Sequence, residues 1–310
     1  MATVVYVGGT SRSGSTMLHL ILGNAANAFA CGEAVSWFRP EKTHHFRFDC
    51  ACGQSDCPVW SGLKEVPEAQ FYAAAFKKLP IHYLVDSSKD ISWLLDARRW
   101  TGACGIRNIN VFIWKDPVDL AYSFWKREYK KTAWRAHFVK YFRRVQEAGL
   151  PILAVNYNEL ARAPQQKIAE ICAAIDMPYF AGKERFWEKE QHHLFGSFGV
   201  RKQVQIGDSF IQPDKAFPPE FEEQLKDLRE QIAKDAEVQE IVTTLRGVDV
   251  SVVERGVGAR QKFQPPIPYP AWYYWHQFKR LWRQRFPRNS DLTKSKKVAT
   301  IPISEEGDRS

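Results

Sequence analysis

Three short stretches of this chain concentrate residues able to hold and act on an anion. In Gly8-Gly9-Thr10-Ser11-Arg12-Ser13-Gly14-Ser15-Thr16, five hydroxyls and three glycines surround one guanidinium. Small residues let a backbone come close to a ligand, so that loop N–H groups and a following helix N-terminus face a phosphate-like group. In Ser87-Ser88-Lys89-Asp90 a cation follows an apolar run, where it can steady negative charge on a leaving group. In Lys115-Asp116-Pro117 a second cation precedes a helix-starting proline, with Ser123 eight positions beyond Lys115. Glu33, in Cys31-Gly32-Glu33, adds a carboxylate suited to take a proton from a hydroxyl. Taken singly, each also fits an ordinary turn with solvated charges.

These residues need elements to place them. The β-branched run at 3–7 predicts a buried strand, and Met17, Leu18, Ile21 and Leu22 predict a helix over 15–22. Residues 69–78 read as a short helix ending before Pro80. Residues 81–86 read as a strand, followed by a helix through Ile91, Leu94 and Leu95 with Ser88 or Asp90 as its cap. That places Lys89 in a first helical turn, where the dipole disfavours a cation. A strand at 110–114 leads into a long basic helix from Pro117, capped by Asp116 and stopped by Gly149-Leu150-Pro151. If all helical, Lys115 and Ser123 are roughly 12 Å apart along the axis, so the spacing predicts no direct contact between them. A strand at 152–155 and helices at 164–175, 183–194 and 218–246 complete the core, the last as one or two amphipathic helices.

The chain has 310 residues and a formal charge of +9, with 45% apolar and 25% charged residues. That composition suits a large α/β domain, and the charge suits an anionic ligand, nucleic acid or an anionic membrane surface. No apolar run approaches the roughly 18–20 residues of a membrane span. The N-terminus enters a strand directly, without a basic leader, so the expected location is cytoplasmic. Six cysteines do not make a disulfide scaffold at this length. Residues 37–70 read as an inserted loop region holding Cys50, Cys52 and Cys57, with His44 and His45 upstream. Three readings stand: a zinc site, reduced thiols packed under the loop beneath Trp60, or a redox pair of Cys57 with Cys50 or Cys52. The spacing departs from a C-x₂-C knuckle, and no fourth ligand is placed by sequence. Residues 1–250 form the expected main domain. From 251 to 286 a proline-rich spacer precedes an aromatic and basic helix, and 287–310 reads as a disordered tail. The helix suits a membrane interface or docking on the domain or a partner, and the inner membrane surface is a further expected location.

Gly9 and Gly14 have the separation of a Walker A loop, and Thr16 stands at the magnesium-binding hydroxyl, but Ser15 fills the lysine position. With Arg12 as its only cation, the loop suits a less charged group than a triphosphate. Arg12-Ser13-Gly14-Ser15-Thr16 resembles the 5′-phosphosulfate loop of sulfotransferases that use 3′-phosphoadenosine 5′-phosphosulfate (PAPS). Lys115-Asp116-Pro117 with Ser123 is similar to that family's second signature: a cation, Asp or Asn, Pro, and a Ser eight positions after the cation. Lys115 stands where most members carry Arg, which loses the bidentate fork and keeps the charge. Cys-Gly-Glu and Asp-Ser-Ser-Lys resemble segments of the tyrosylprotein enzymes and their relatives. Cys50-Ala51-Cys52-Gly53 with Cys57-Pro58 resembles a segment of bacterial members.

The resemblance covers about residues 3–205. It implies a P-loop-like three-layer α/β/α fold around a mainly parallel sheet of about five strands. It implies in-line sulfuryl transfer from PAPS to a hydroxyl on a carbohydrate, lipid-linked molecule, small molecule or peptide tyrosine, leaving 3′,5′-ADP. In that scheme Glu33 is the base. Arg12, Lys89 and the backbone of Ser13, Gly14, Ser15 and Thr16 hold the sulfuryl and 5′-phosphate. Lys115, Ser123 and Arg201, the last in a Gly-rich loop with Ser197 and Lys202, hold the 3′-phosphate. The scheme requires no metal. Its expected partners are the hydroxylated acceptor and, through residues 271–286, a membrane surface, but not nucleic acid. The alternatives are a P-loop kinase of a small metabolite, or a basic protein that binds membranes or nucleic acid.

Overall fold

The computed structural model describes residues 1–130, 132–197, 200, 216–250 and 269–285. Five strands form among these residues: β1 (Thr3–Gly8), β2 (Ala28–Gly32), β3 (Tyr83–Asp86), β4 (Arg107–Trp114) and β5 (Leu153–Asn156). They pair in the order β2-β3-β1-β4-β5, every pair parallel. Parallel neighbours need long crossovers, and helices supply them: α1 (Ser15–Gly23), α2 (Ala34–Phe38), α3 (Phe71–Lys78), α4 (Ile91–Ala103), α5 (Pro117–Trp125) and α6 (Ala133–Glu147). After β5 come α7 (Tyr157–Arg162), α8 (Pro164–Ala174), α9 (Pro219–Lys234), α10 (Ala236–Gly247) and α11 (Ala271–Arg285).

Side chains alternate across a strand, and β1 feeds two cores. Val4 and Tyr6 join one with residues of α4 and α6, while Val5 and Val7 join the other with residues of α1 and α8. The architecture is therefore the expected three-layer α/β/α. From β1 the chain runs to the edge strand β2 and returns through β3, then passes β1 to reach β4 and β5. The order reverses beside β1, and the segments after β1 and β4 meet at that switch point, where open α/β sheets bind ligands.

Three expectations are corrected. The long helix from Pro117 is two helices, α5 and α6. The Phe124 carbonyl accepts N–H bonds from Arg127 (3.0 Å) and Tyr129 (3.4 Å), and Glu128 turns left-handed at φ 58. Phe124 then packs against Tyr129 and His137, with ring centroids 5.2 and 5.4 Å away, which folds the chain back. Residues 183–194 are not a helix; they hold a single 3₁₀ turn at Phe186–Glu188. The buried Lys183 ammonium instead donates to the Leu22 and Asn24 carbonyls, and Lys189 donates to Ala25. The open carbonyls at the end of α1 claim these side chains, as helix C-termini do. Cys31-Gly32 is not a turn but the end of β2, with Glu33 as the N-cap residue of α2.

Asp96 of α4 fastens α11 to the domain. It accepts hydrogen bonds from Tyr273, Tyr269 (3.3 Å), Gln277 (3.3 Å) and Arg39 (2.7 Å). The opposite face of α11 leaves Tyr274, Trp275, Phe278, Leu281 and Trp282 exposed. No helix among the described residues is long and apolar enough to cross a membrane. The spacer before residue 269, the tail from residue 286, and Arg201 and Lys202 lie outside the described residues.

Candidate active site

The loop between β1 and α1 is shaped by its glycines and by bonds within itself. Gly9 has φ 141, and a Cβ there would stand 2.3 Å from the Ile113 carbonyl oxygen. Its N–H donates to the Tyr141 hydroxyl of α6 at 2.8 Å. Ser13 donates through both its N–H and its hydroxyl to the Thr10 carbonyl, so its side chain braces the loop from inside. Gly14, left-handed at φ 101, is the N-cap residue of α1, and Ser15 and Thr16 open that helix as buried residues. First-turn N–H groups have no intrahelical acceptor, which leaves them for an anion. Arg12 stands at the loop's crest with φ 75, a conformation uncommon for a non-glycine residue. Burial and the Arg127 guanidinium pull the Arg12 pKa down from its ordinary value. Both effects disfavour an uncompensated cation and favour an anion beside it.

At the second junction Lys115 ends the segment after β4, and its ammonium donates to the Ser123 hydroxyl at 3.3 Å. The two residues therefore touch, contrary to the spacing argument. Lys115 precedes the helix, so its flexible stem lies back along α5 rather than extending from it. Ser123 donates in turn to the Asp119 carbonyl at 2.8 Å, which aims its lone pairs at the lysine. The ammonium also sits 4.1 Å from the Tyr157 ring centroid. Burial, then the charges of Lys126 and Arg12, bring Lys115 down to about 8. The Tyr157 ring that this ammonium faces also packs against Gly14 of the first loop, where a Cβ would stand 2.6 Å from it, and so the two junctions adjoin.

Glu33 and Lys89 lie at the ends of β2 and β3, neighbouring strands, and the Lys89 ammonium pairs with Glu33 Oε1. Burial opposes ionisation of Glu33, yet the charge and hydrogen bond of Lys89 hold its carboxyl below the ordinary glutamate value. Lys89 is not in a helix; it precedes the N-cap of α4, Asp90, which accepts the Trp93 N–H at 2.8 Å. Like Arg12, Lys89 is left-handed, with φ 60. Strain of this kind, roughly 1–3 kcal/mol, is held by surrounding structure and concentrates at functional sites. The Gly32 backbone, at φ 86, passes so close to Leu194 that a Cβ would lie 2.1 Å from its oxygen. Leu194 then accepts the Glu33 N–H at 3.0 Å.

Other residues support the site, Asp86 and Ser88 from within the Asp-Ser-Ser-Lys motif and His19 with no mark in the sequence. Asp86, at the end of β3, accepts hydrogen bonds from Tyr72 (2.6 Å), Trp93 (3.1 Å) and the Ser88 N–H (2.7 Å) and hydroxyl. The Ser88 hydroxyl accepts the Val35 N–H at 3.1 Å, which ties the turn carrying Lys89 to the helix that follows Glu33. His19 is fully buried in α1, with Nδ1 2.7 Å from the Thr16 carbonyl. Burial, then the Lys89 charge, lowers its pKa to about 4, so it is neutral at neutral pH. A small cleft under these groups is lined by Tyr6, Gly8, Asp86, Ser88, Lys89 and Tyr141 among others. Gly196 packs beside Thr16, but Arg201 lies outside the described residues. The three loop cysteines meet His192 rather than the upstream histidines; His45 packs 5.2 Å from the Phe195 ring instead.

No protein-family model and no curated protein matches the chain. Among solved structures, the sulfotransferase domain from the Synechococcus PCC 7002 olefin synthase superposes with a TM-score of 0.50 at 15% identity, covering 76% of this chain and 95% of that one. A sulfotransferase domain from the curacin biosynthetic pathway gives 0.45 at 16% identity, covering 79% and 98%. A sulfotransferase from Alicyclobacillus acidocaldarius gives 0.38 at 13%, covering 79% and 99%. At such identities the likeness is one of fold: the chain has the three-layer α/β fold of a sulfotransferase domain.

Proposed function

We propose that the protein transfers a sulfuryl group from PAPS to a hydroxyl acceptor. The observation that carries this reading is the meeting of two anion cradles at one switch point. The Arg12 loop lacks a Walker lysine, and Tyr157 packs between Gly14 of that loop and the Lys115 ammonium of the Lys115–Ser123 pair. Two separated phosphate positions suit a 3′,5′-bisphosphorylated nucleotide better than a linear triphosphate chain. The Gly9–Thr16 backbone, the start of α1 and Arg12 bind the 5′-phosphosulfate. Lys115 and Ser123 bind the 3′-phosphate, and Arg201 joins them.

The chemistry is an in-line displacement at sulfur. The acceptor oxygen forms a bond to sulfur as the bond to the bridging 5′-phosphate oxygen breaks. Glu33 takes the acceptor's proton, and its low pKa keeps it ionised and ready. Lys89 shifts from Glu33 toward the bridging oxygen and steadies the charge that develops there. In the free protein the two groups neutralise each other, and the donor's negative charge separates them. No step in this scheme uses a metal.

Calorimetry with 3′,5′-ADP in the absence of magnesium tests the assignment. Saturable binding is expected, as is transfer of label from PAPS to a hydroxyl compound of a cell extract. Preference for magnesium-ATP overturns the reading in favour of a kinase. Strongly salt-dependent DNA binding with no response to 3′,5′-ADP favours a binding protein instead. The exposed α11 stripe of Trp275, Phe278, Leu281 and Trp282, with Lys279 4.8 Å above the Trp275 ring, supports a peripheral membrane contact. Such a contact brings a lipid-linked acceptor to the site.

A further inference from the structure

We infer that Cys50, Cys52, Cys57 and His192 form a structural zinc site that fastens the backbone behind Glu33. Their four ligand atoms lie within 4.8 Å of one another. The Cys50 and Cys52 sulfurs are 3.3 Å apart, and Cys57 Sγ is 3.3 Å from His192 Nδ1. With zinc–sulfur bonds of about 2.3 Å, tetrahedral thiolates lie roughly 3.8 Å apart, so small side-chain shifts close this set around one ion. Three soft thiolates and an imidazole match the preference of zinc. Any single disulfide here leaves a third thiol and the histidine unexplained.

The surroundings fit a ligand set. His192 Nε2 stands 3.6 Å from the Glu190 carboxylate, the outer partner that metal-bound histidines commonly have. The Trp60 indole donates to the His192 carbonyl at 2.6 Å, and Trp60 is fully buried over the cluster. Turns fix the cysteine backbone: Gly53 donates its N–H to the Cys50 carbonyl, and Trp60 and Ser61 donate theirs to the Cys57 carbonyl, each at 3.0 Å. Four protein ligands leave no open position for water or substrate, so the site is structural rather than catalytic.

Its purpose follows from what His192 begins. Residues 193–195 run between two segments. On one side Ala51 donates to His193 and Phe195 donates to Asp49 (3.0 and 3.1 Å). On the other, Leu194 donates to Cys31 and accepts from Glu33 (2.9 and 3.0 Å). A metal joining the cysteine loop to His192 clamps this segment, and through Leu194 it fixes the Glu33 backbone.

The test is the metal content of the full-length protein purified under reducing conditions. Expected is one equivalent of zinc that survives dialysis against EDTA, and cobalt exchange that gives the visible and near-ultraviolet bands of a tetrahedral thiolate site. Cys57→Ser and His192→Ala each lose the zinc, while His192→Cys retains it with a cobalt spectrum shifted toward four thiolates. Stripping the metal speeds amide exchange at residues 192–195 and at Glu33. The inference is overturned by wild-type protein without stoichiometric zinc, whether its thiols are free, disulfide-bonded or loaded with another metal. It is also overturned if His192→Ala and Cys57→Ser keep the zinc with an unaltered cobalt spectrum. Metal content is read without donor or acceptor, so the outcome is independent of sulfuryl transfer.

Discussion

Lys115 Nζ reaches Ser123 Oγ at 3.3 Å, although eight residues separate them. A lysine before a helix, with its stem folded along the first two turns, makes a pair from residues that lie apart on a helical wheel. Removing either partner removes a charge-assisted hydrogen bond to a bound phosphate. Lys115→Met or Ser123→Ala should weaken 3′,5′-ADP binding by about 1.5–3 kcal/mol, or roughly ten- to a hundredfold in Kd by calorimetry. Lys115→Met should at the same time leave Tm unchanged or raise it, because a desolvated charge is removed.

Lys115 also gives the binding a pH dependence. Burial holds its pKa near about 8, and a phosphate prefers the protonated form. Affinity for 3′,5′-ADP should be level from about pH 7, where the ligand's phosphates are ionised, up to that value. Above it, Kd should climb by up to about tenfold per pH unit as the free protein loses the proton. Lys115→Arg should flatten the alkaline limb, since a guanidinium stays charged.

Glu33→Gln should lower kcat by about 10²–10⁴-fold while 3′,5′-ADP binding is retained or tightened, because Lys89 no longer has to leave an anionic partner. Lys89 depresses the Glu33 pKa, so the acid limb of kcat/KM in the wild type should fall below the ordinary glutamate range. A limb at or above that range would reassign the base.

Ser88→Ala breaks the link between the Lys89 turn and Val35. It should cost about 1 kcal/mol in urea unfolding with an unchanged m-value. It should also lower kcat without changing Kd for 3′,5′-ADP, because the phosphate cradles stand on other strands.

His19 makes stability fall in acid. Its folded pKa of about 4 lies below the reference of 6.5, so its contribution is complete above 6.5 and is lost as pH falls toward 4. The loss is on the order of 3 kcal/mol. Denaturation midpoints measured across that window should drop, and His19→Asn should flatten the curve.

The architecture was largely legible. Strands at 3–7, 81–86, 110–114 and 152–155 announced themselves by apolar, β-branched runs, and Arg12, Lys89 and Lys115 each followed such a run. β2 was missed because Ala28-Phe29-Ala30-Cys31-Gly32 lacks that signature; its pairing with β3 makes it a strand. The break between α5 and α6 carries no proline or glycine; left-handed Glu128 and the packing of Phe124 on Tyr129 and His137 make it. The helix expected at 183–194 gave way to demands set elsewhere, by the carbonyls at the end of α1 and by the edge of β2. Within the site, Arg12, Glu33, Lys89, Lys115 and Ser123 were readable as types at spacings. Asp86 was readable only as the first residue of Asp-Ser-Ser-Lys, its ties to Tyr72 and Trp93 being set by the fold, and His19 and His192 carried no mark of a role in their own neighbourhood.

The Glu33 N–H is held by Leu194, so an N-terminal carboxylate takes its backbone support from far down the chain. A ribosome releases β1, β2 and β3 long before that support exists. Throughout that interval the outer edge of β2 near Gly32 is uncovered and Glu33 is unset. Competence therefore arrives late in synthesis, after residue 195 has emerged, and a chain arrested between residues 141 and 195 has the partners of the anion loop but not those that seat the base.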